Sequence, residues 1–176
     1  MEIITLILIG ISLSLDAFSL SIAYGLIDIK KTQIIQTSIS VGIFHFFMPL
    51  LGMYLGSFIF KYINIDSKYI LIIILSLVVL EMIKSLYDKE KAYEMNILNI
   101  IIFSFLVSID SFSVGIGINY ITSFPIIASL IFSFFSFFFT LLGFTLGKYL
   151  SEVAGIISKK IGIVILIILI IYFVFK

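Results

Sequence analysis

Long apolar runs constrain how this chain can fold more than any other feature of its sequence. Short polar breaks separate six such runs, and about 20 apolar residues are enough for one helix to cross a lipid bilayer. Charged residues make up only 12% of the 176 positions, about half of the share found in soluble domains. So few charges could not cover a soluble core, and the sequence therefore predicts an all-α integral membrane protein with six transmembrane helices. The predicted spans are Ile3–Leu26, Ile34–Phe60, Tyr69–Tyr87, Ile97–Tyr120, Pro125–Tyr149 and Ile161–Phe175.

The sixth run, Ile161–Phe175, is the shortest. Its 15 residues would extend about 22 Å as a helix, which is less than the hydrocarbon thickness of a bilayer. We therefore expect this helix to begin earlier, near Val153. Lys159 and Lys160 would then lie inside the span, and their long side chains would reach back toward the interface.

Lysines are distributed unequally between the two sides of the predicted membrane, and the chain has no arginine. Eight lysines accompany the loops that join spans 1 to 2, 3 to 4 and 5 to 6, whereas three lie on the opposite side. Because cytoplasmic loops carry the excess of positive charge, this bias predicts that both termini lie outside a bacterial plasma membrane. The eight are Lys30, Lys31, Lys84, Lys89, Lys91, Lys148, Lys159 and Lys160.

Net charge and cysteine content exclude several kinds of function. The formal net charge is +1 and no stretch is strongly basic, so nucleic acid is not an expected partner. The chain has no cysteine, which removes disulfides, thiolate metal sites and cysteine nucleophiles. We expect neither an enzyme nor a resident cofactor; the expected partners are the lipid bilayer and a transported ion, with the oligomeric state left open.

The chain repeats itself in three places, in the same order. The matched segments are Ser14–Ser19 with Ser108–Ser113 at an offset of 94, and Gly52–Gly56 with Gly143–Gly147 and Ser67–Lys68 with Ser158–Lys159 at an offset of 91. Three matches in order, at a nearly constant offset, indicate an internal duplication.

Each repeat would contain three predicted spans, in residues 1–87 and 97–176, joined by a charged cytoplasmic linker at 88–96. Because three is an odd number, the second half must be inserted upside down relative to the first. Inverted repeats are typical of secondary transporters, whose binding site lies near the midplane between the halves. The glycines repeated at a spacing of four would let helix backbones approach closely.

Two carboxylates, Asp16 and Asp110, occupy repeat-equivalent positions deep inside predicted spans. Each lies about 20 Å into its span, near the midplane, where inserting a carboxylate costs about 2.5–3.5 kcal/mol. Two such charges indicate an ion site, to which Ser14 and Ser108 could add hydroxyl oxygens. These ligands suit a hard cation such as Mg, Ca or Mn. The other interpretation is a pair of protonated aspartates that hydrogen-bond to neighbouring helices.

Three further polar residues lie inside the spans and are candidates for the same site. His45 comes four residues before Pro49, which frees a backbone carbonyl; it is either a ligand or proton relay, or a packed, hydrogen-bonded residue. Glu81 is either a carboxylate at the cytoplasmic gate or the ion-pair partner of Lys84. Asn119 either offers an amide oxygen or lies at the interface.

Three motifs carry a resemblance to a known family. They are Ser-Leu-Asp-Ala-Phe-Ser at 14–19, Met-Pro-Leu-Leu-Gly at 48–52 and Ser-Ile-Asp-Ser-Phe-Ser-Val-Gly at 108–115. With these motifs the chain resembles, over essentially its whole length, the bacterial manganese efflux pump family, MntP. The resemblance implies that the substrate is Mn(II), moved out of the cytoplasm, and that Asp16 and Asp110 match the intramembrane aspartates of the family.

Export of a dication from a negative interior is uphill by about 4.6 kcal/mol per 100 mV of membrane potential. The chain contains no G-x-x-x-x-G-K-[ST] motif for ATP, so a coupled ion must drive export. Metal binding requires ionised carboxylates and releases their protons, and we therefore predict exchange of manganese for protons. The alternatives are an exporter of another cation or small solute, or a non-transport membrane protein, for example a sporulation-associated one.

Overall fold

The computed structural model describes residues 2–25, 29–62, 66–87, 95–147, 149 and 152–175. Within these ranges the chain forms seven α-helices and no strand. The helices are α1 (Glu2–Gly25), α2 (Lys31–Tyr62), α3 (Ser67–Ser85), α4 (Ile97–Val107), α5 (Ile109–Gly117), α6 (Pro125–Leu146) and α7 (Glu152–Phe175), and a 3-10 turn, Ile118–Tyr120, follows α5. Most of the predicted linker, residues 88–94, lies outside the described residues.

The apolar runs coincide with helices. Among the residues that the structure describes, five stretches are long and apolar enough to cross a bilayer: α1, α2, α4–α5 with its 3-10 turn, α6 and α7. The third predicted span coincides with α3, whose 19 residues include Lys68, Glu81 and Lys84, and its crossing stays a prediction. Because α7 begins at Glu152, the early start that we expected near Val153 is confirmed. The fold is that of an all-α, multi-pass membrane protein.

The helices present apolar side chains outward and small polar side chains inward. Ile4 and Phe134 are 64% and 63% exposed, as are many other large apolar side chains around the bundle. Several hydroxyl groups, by contrast, are completely buried: those of Ser12, Ser21, Ser104, Ser129 and Thr140. These hydroxyls lie among buried apolar side chains such as those of Leu6, Ile9 and Phe132. The bundle thus keeps polar groups away from lipid, as lipid solvation favours.

Helices from the two predicted halves pack against each other rather than among themselves. α1 packs against α6 and α7, α2 against α4, α5 and α6, and α3 against α5 and α7. Apart from contacts along the α4–α5 stretch itself, every extensive contact between the described helices joins the first half to the second. Neither half therefore has a core of its own.

Glycines allow α2 to contact the backbone of α5. A Cβ atom at Gly52 would collide with the carbonyl oxygen of Phe112, and one at Gly56 would collide with that of Ile116. Because the colliding atoms belong to the backbone, they could not move aside as a side chain can. Gly52 and Gly56 are thus required for this close approach.

The same contact recurs between α6 and α1. A Cβ atom at Gly143 would lie 2.8 Å from the carbonyl oxygen of Phe18, and one at Gly147 would lie 2.8 Å from that of Ile22. Phe18 and Ile22 precede the two α5 residues contacted by the α2 glycines by 94 positions, which is the offset of the sequence repeat. The repeated glycines therefore make equivalent contacts in the two halves.

The fourth predicted span is interrupted at Ser108. α4 ends one residue before it and α5 begins one residue after it, and the Ser108 N–H donates to the Phe105 carbonyl at 3.1 Å. Ser108 Oγ donates to the carbonyls of Ser104 and Phe105 at 2.8 and 2.9 Å. Such bonds from a hydroxyl to the preceding turn bend helices. As a consequence, Asp110 lies in the first turn of a new helix, where the helix dipole favours an anion.

Candidate functional site

Asp16, in the middle of α1, forms an ion pair with a lysine of α7. Lys159 Nζ lies 3.0 Å from Asp16 Oδ1, and the side chains of Lys159 and Asp16 are only 4% and 15% exposed. A buried pair of this kind must satisfy its charges within the protein, since neither group can be solvated by bulk water. The pair therefore fixes the rotation of α7 relative to α1.

Lys159 also connects this ion pair to α3. Its Nζ donates to Ser85 Oγ at 3.0 Å, so side chains from α1, α3 and α7 meet at one ammonium group. The expectation that Lys159 reaches back to the interface is wrong, because the Asp16 carboxylate compensates its charge inside the bundle. Lys160, one position further and on another face of α7, is exposed as expected.

Asp110 lies in the same electrostatic environment as Asp16. Its carboxyl group interacts electrostatically with Asp16, with Glu81 and with Lys159. We refer to Asp16, Glu81, Asp110 and Lys159 as the charged cluster. Asp16 and Glu81 come from the first predicted half and Asp110 and Lys159 from the second, so the cluster lies where the halves meet.

The hydroxyls of Ser14 and Ser108 are engaged in helix packing. Ser14 Oγ donates to the Gly10 carbonyl at 2.6 Å and lies 3.0 Å from Ser136 Oγ on α6. Ser108 Oγ is bonded to the preceding turn of its own helix. Both hydroxyls are completely buried and lie two positions before the aspartates, so they shape the helices that hold those carboxylates.

His45 is completely buried on α2 and is not one of the four residues of the charged cluster. Its Nδ1 is 3.0 Å from the Val41 carbonyl, to which a protonated Nδ1 donates. Its Nε2 has no hydrogen-bond partner among the described residues. In this tautomer the Nε2 lone pair is available to a proton or a cation.

Glu81 and Asn119 differ in their relation to the cluster. Glu81 is exposed on α3 and forms no ion pair with Lys84 in the described part of the chain, so the structure does not provide that alternative. Asn119, in the 3-10 turn, donates from Nδ2 to the Met53 carbonyl at 3.1 Å and thus connects this turn to α2. Of these two residues, only Glu81 interacts electrostatically with Asp110 and belongs to the charged cluster.

The described residues contain no set of three or more histidine, aspartate or glutamate side chains that could together hold a metal ion. The charged cluster instead places carboxylates beside an ammonium group, in a partly buried position at the junction of two helix sets. Such an arrangement can attract a cation and compensate a negative charge from within the protein.

Lys159 is the residue that sequence reasoning missed, since it was assigned to the interface. Two signals could have found it. It is the lysine in the second copy of the repeated Ser-Lys pair. It also falls inside the extended sixth span, where a lysine requires a partner.

Fold and site together define a multi-pass α-helical membrane protein with a partly buried charged cluster between two interlocked sets of helices. Residues 28–174 match the family Mntp, described as "Putative manganese efflux pump". Because this match covers most of the chain, the chain belongs to that family, as its motifs suggested.

Similar proteins carry the name "Putative manganese efflux pump MntP". One from Bacillus pumilus is 34% identical over 170 residues, covering 94% of this chain and 91% of the relative. Relatives from Bacillus cereus and Bacillus licheniformis are each 32% identical over 168 residues, covering 94% of this chain and 92% and 90% of the relatives. No solved structure matches the chain.

Proposed function

We propose that this protein exports Mn²⁺ from the cytoplasm as a secondary transporter. Membership of the family supports the direction and the cargo, and the name shared by the relatives gives manganese as their substrate. Carboxylate oxygens are ligands suited to Mn²⁺, which agrees with the chemistry of the cluster.

The cargo site is built on Asp16 and Asp110. The observation that carries this assignment is that two repeat-related carboxylates, one on α1 and one on α5, interact within a single charged cluster. Intramembrane carboxylates are expensive to insert and are therefore kept where an ion or a partner uses them. Together they would neutralise the two charges of the ion.

The two halves are inverted repeats that rock around this site. The contact pattern supports a twofold relation: α1 packs on α6 as α4–α5 packs on α2, and α1 packs on α7 as α5 packs on α3. The glycine contacts run in the same direction along α2 and α5, so these helices are parallel. If α1 and α2 cross in succession, α5 runs opposite to α1, as inversion requires.

Protons supply the driving force. Moving two positive charges against an interior of −100 mV requires about 4.6 kcal/mol before any concentration gradient. Carboxylates that bind a metal ion must release their protons and take them up again when it leaves. Exchange of Mn²⁺ against protons carried by the cluster would therefore couple export to the proton gradient.

Purified protein in liposomes, with an entrapped manganese-quenched dye and an entrapped pH dye, tests the site and the coupling together. We expect Mn²⁺ entry to raise the lumenal pH as protons leave, and Asp16→Asn or Asp110→Asn to abolish both signals. Asp66→Asn is the matched control, because this exposed carboxylate caps α3 through the Lys68 N–H at 3.0 Å and asparagine also caps well.

Each outcome has a distinct meaning. Manganese flux that persists in either cluster variant would refute the assignment of the site. Manganese flux without a pH change in the wild type would refute proton exchange, and absence of manganese flux in the wild type would refute manganese transport itself.

A further inference from the structure

Lys159 gives the charged cluster a cation that belongs to the protein. Its ammonium group is buried, lies 3.0 Å from Asp16 Oδ1 and donates to Ser85 Oγ at the same distance. Asp16 therefore has its charge compensated before any ion arrives. An incoming dication would meet a carboxylate of which one oxygen, Oδ1, already accepts a charge-assisted hydrogen bond.

Two cations cannot use this carboxylate oxygen at once. In a medium of low dielectric, an ammonium and a dication a few ångströms apart repel each other strongly. Lys159 is covalently attached to α7, so its effective concentration at Asp16 does not depend on the composition of either compartment. A metal ion can thus bind Oδ1 of Asp16 only if the ammonium group withdraws.

We propose that Lys159 is an intramolecular competitor of the transported cation at Asp16. This inference rests on the proposed function, since it assumes that Asp16 binds the cargo. The lysine lowers the affinity of the site for metal. It also promotes release, because its ammonium group forms the ion pair with Asp16 again as the ion departs. It is a positioning residue that sets affinity and turnover, and it does not itself bind the ion.

The withdrawn ammonium group has a destination on α3. Ser85 helps to hold the ammonium group beside Asp16. A displaced ammonium group would exchange this hydroxyl for the carboxylate of Glu81, which lies four residues earlier on the same face of that helix. Displacement from Asp16 would therefore move Lys159 away from α1 and toward α3. Cation binding would in this way change which helices the lysine connects.

Equilibrium binding of Mn²⁺ to the purified full-length protein tests the proposal, with free Mn²⁺ measured by electron paramagnetic resonance. Lys159→Met removes the charge and keeps an apolar chain, and we expect it to tighten manganese binding at least about tenfold. In liposomes the same variant should show a lower KM together with a lower kcat, because release is slowed. Lys160→Met, at the exposed neighbouring position, is the matched control and should leave affinity unchanged.

Ser85→Ala is a second test of competition at Asp16, for the case that Lys159→Met does not fold. It removes one acceptor of the ammonium group but leaves the charge, and we expect it to tighten manganese binding about threefold, the effect of one hydrogen bond. Ser76→Ala is its control, because Ser76 Oγ is also half-buried on α3 and donates to the Ile72 carbonyl at 2.7 Å.

The two proposals fail in different ways. If folded Lys159→Met or Ser85→Ala binds manganese no more tightly than wild type while Asp16→Asn abolishes binding, competition is refuted and the cargo site stands. If Asp16→Asn binds manganese as tightly as wild type, the proposed function fails at this site. Tighter binding in both Lys159→Met and Ser85→Ala, with unchanged controls, supports competition.

Discussion

His45 has one ring nitrogen in a defined hydrogen bond and the other without a partner among the described residues. A buried polar atom without a partner costs about 1–3 kcal/mol in desolvation. Thr140 Oγ1 on α6 is in the same situation, whereas Thr37 Oγ1 donates to the Gln33 carbonyl at 2.8 Å. These buried side chains therefore differ in what their polar atoms contribute to stability.

Replacing His45 by leucine should leave the unfolding temperature in detergent unchanged or higher, by the equivalent of up to about 1 kcal/mol, because it removes an unpaired polar atom. Thr140→Val should behave in the same way, and Thr37→Val should lower the temperature because its hydroxyl is bonded. A marked drop for His45→Leu would contradict the prediction. Loss of manganese flux with intact stability would place Nε2 on the path of the ion.

At the residue scale, the sequence identifies which side chains are unusual but not which ones they contact. Asp16 stands out because a carboxylate in an apolar run is expensive. Its pairing with Lys159 depends on how α7 is rotated against α1, and no local pattern records that rotation. The sequence therefore marks Asp16 and Lys159 as residues that need a partner, while their pairing with each other required the structure.

The contact between α2 and α5 depends on glycine at the helix scale. Gly52→Ala would place a Cβ against the Phe112 backbone, and we expect it to destabilise the protein by about 1–3 kcal/mol, as overpacking does. Gly155→Ala is the control, because its added Cβ would lie 3.1 Å from Ser19 Oγ, which can rotate, and 3.3 Å from the Ser19 carbonyl oxygen, so its backbone contact is much looser than the one at Gly52. Thermal unfolding followed by size-exclusion chromatography measures both variants. Equal stability of the two would contradict the packing argument.

Helix positions were largely predictable because apolar runs and polar breaks record where a chain can lie in lipid. The start of α7 before Lys159 and Lys160 followed from the length of the apolar run alone. The interruption at Ser108 was not predictable, since serine in an apolar helix is common and only its bonds to the preceding turn bend the backbone. Hydropathy thus fixes the lengths of helices and says little about their bends.

At the scale of the whole molecule, the proposed topology requires α3 to cross the membrane. The chain has no cysteine, so single cysteines can be placed without a change of background. The exposed residues Lys30, Asp66 and Asn96 lie in successive connections between spans. We expect Asp66→Cys to react with an impermeant maleimide in intact cells, and Lys30→Cys and Asn96→Cys to react only after permeabilisation.

The three positions together determine the path of the chain. Labelling of Asp66→Cys and Asn96→Cys from the same side would show that α3 does not cross and would refute the inverted repeat. If each of the three positions reacts from the side opposite to the expected one, the proposed fold stands and the predicted membrane orientation is wrong.

Because each set of helices is packed almost entirely by the other, biogenesis of this protein cannot proceed one half at a time. Helices α1 and α2 remain in the lipid with little packing until the second half has been synthesised. During that interval Asp16 lacks the ammonium group that α7 brings. The nascent chain is therefore most vulnerable to membrane quality-control proteases just before its last described helix is inserted.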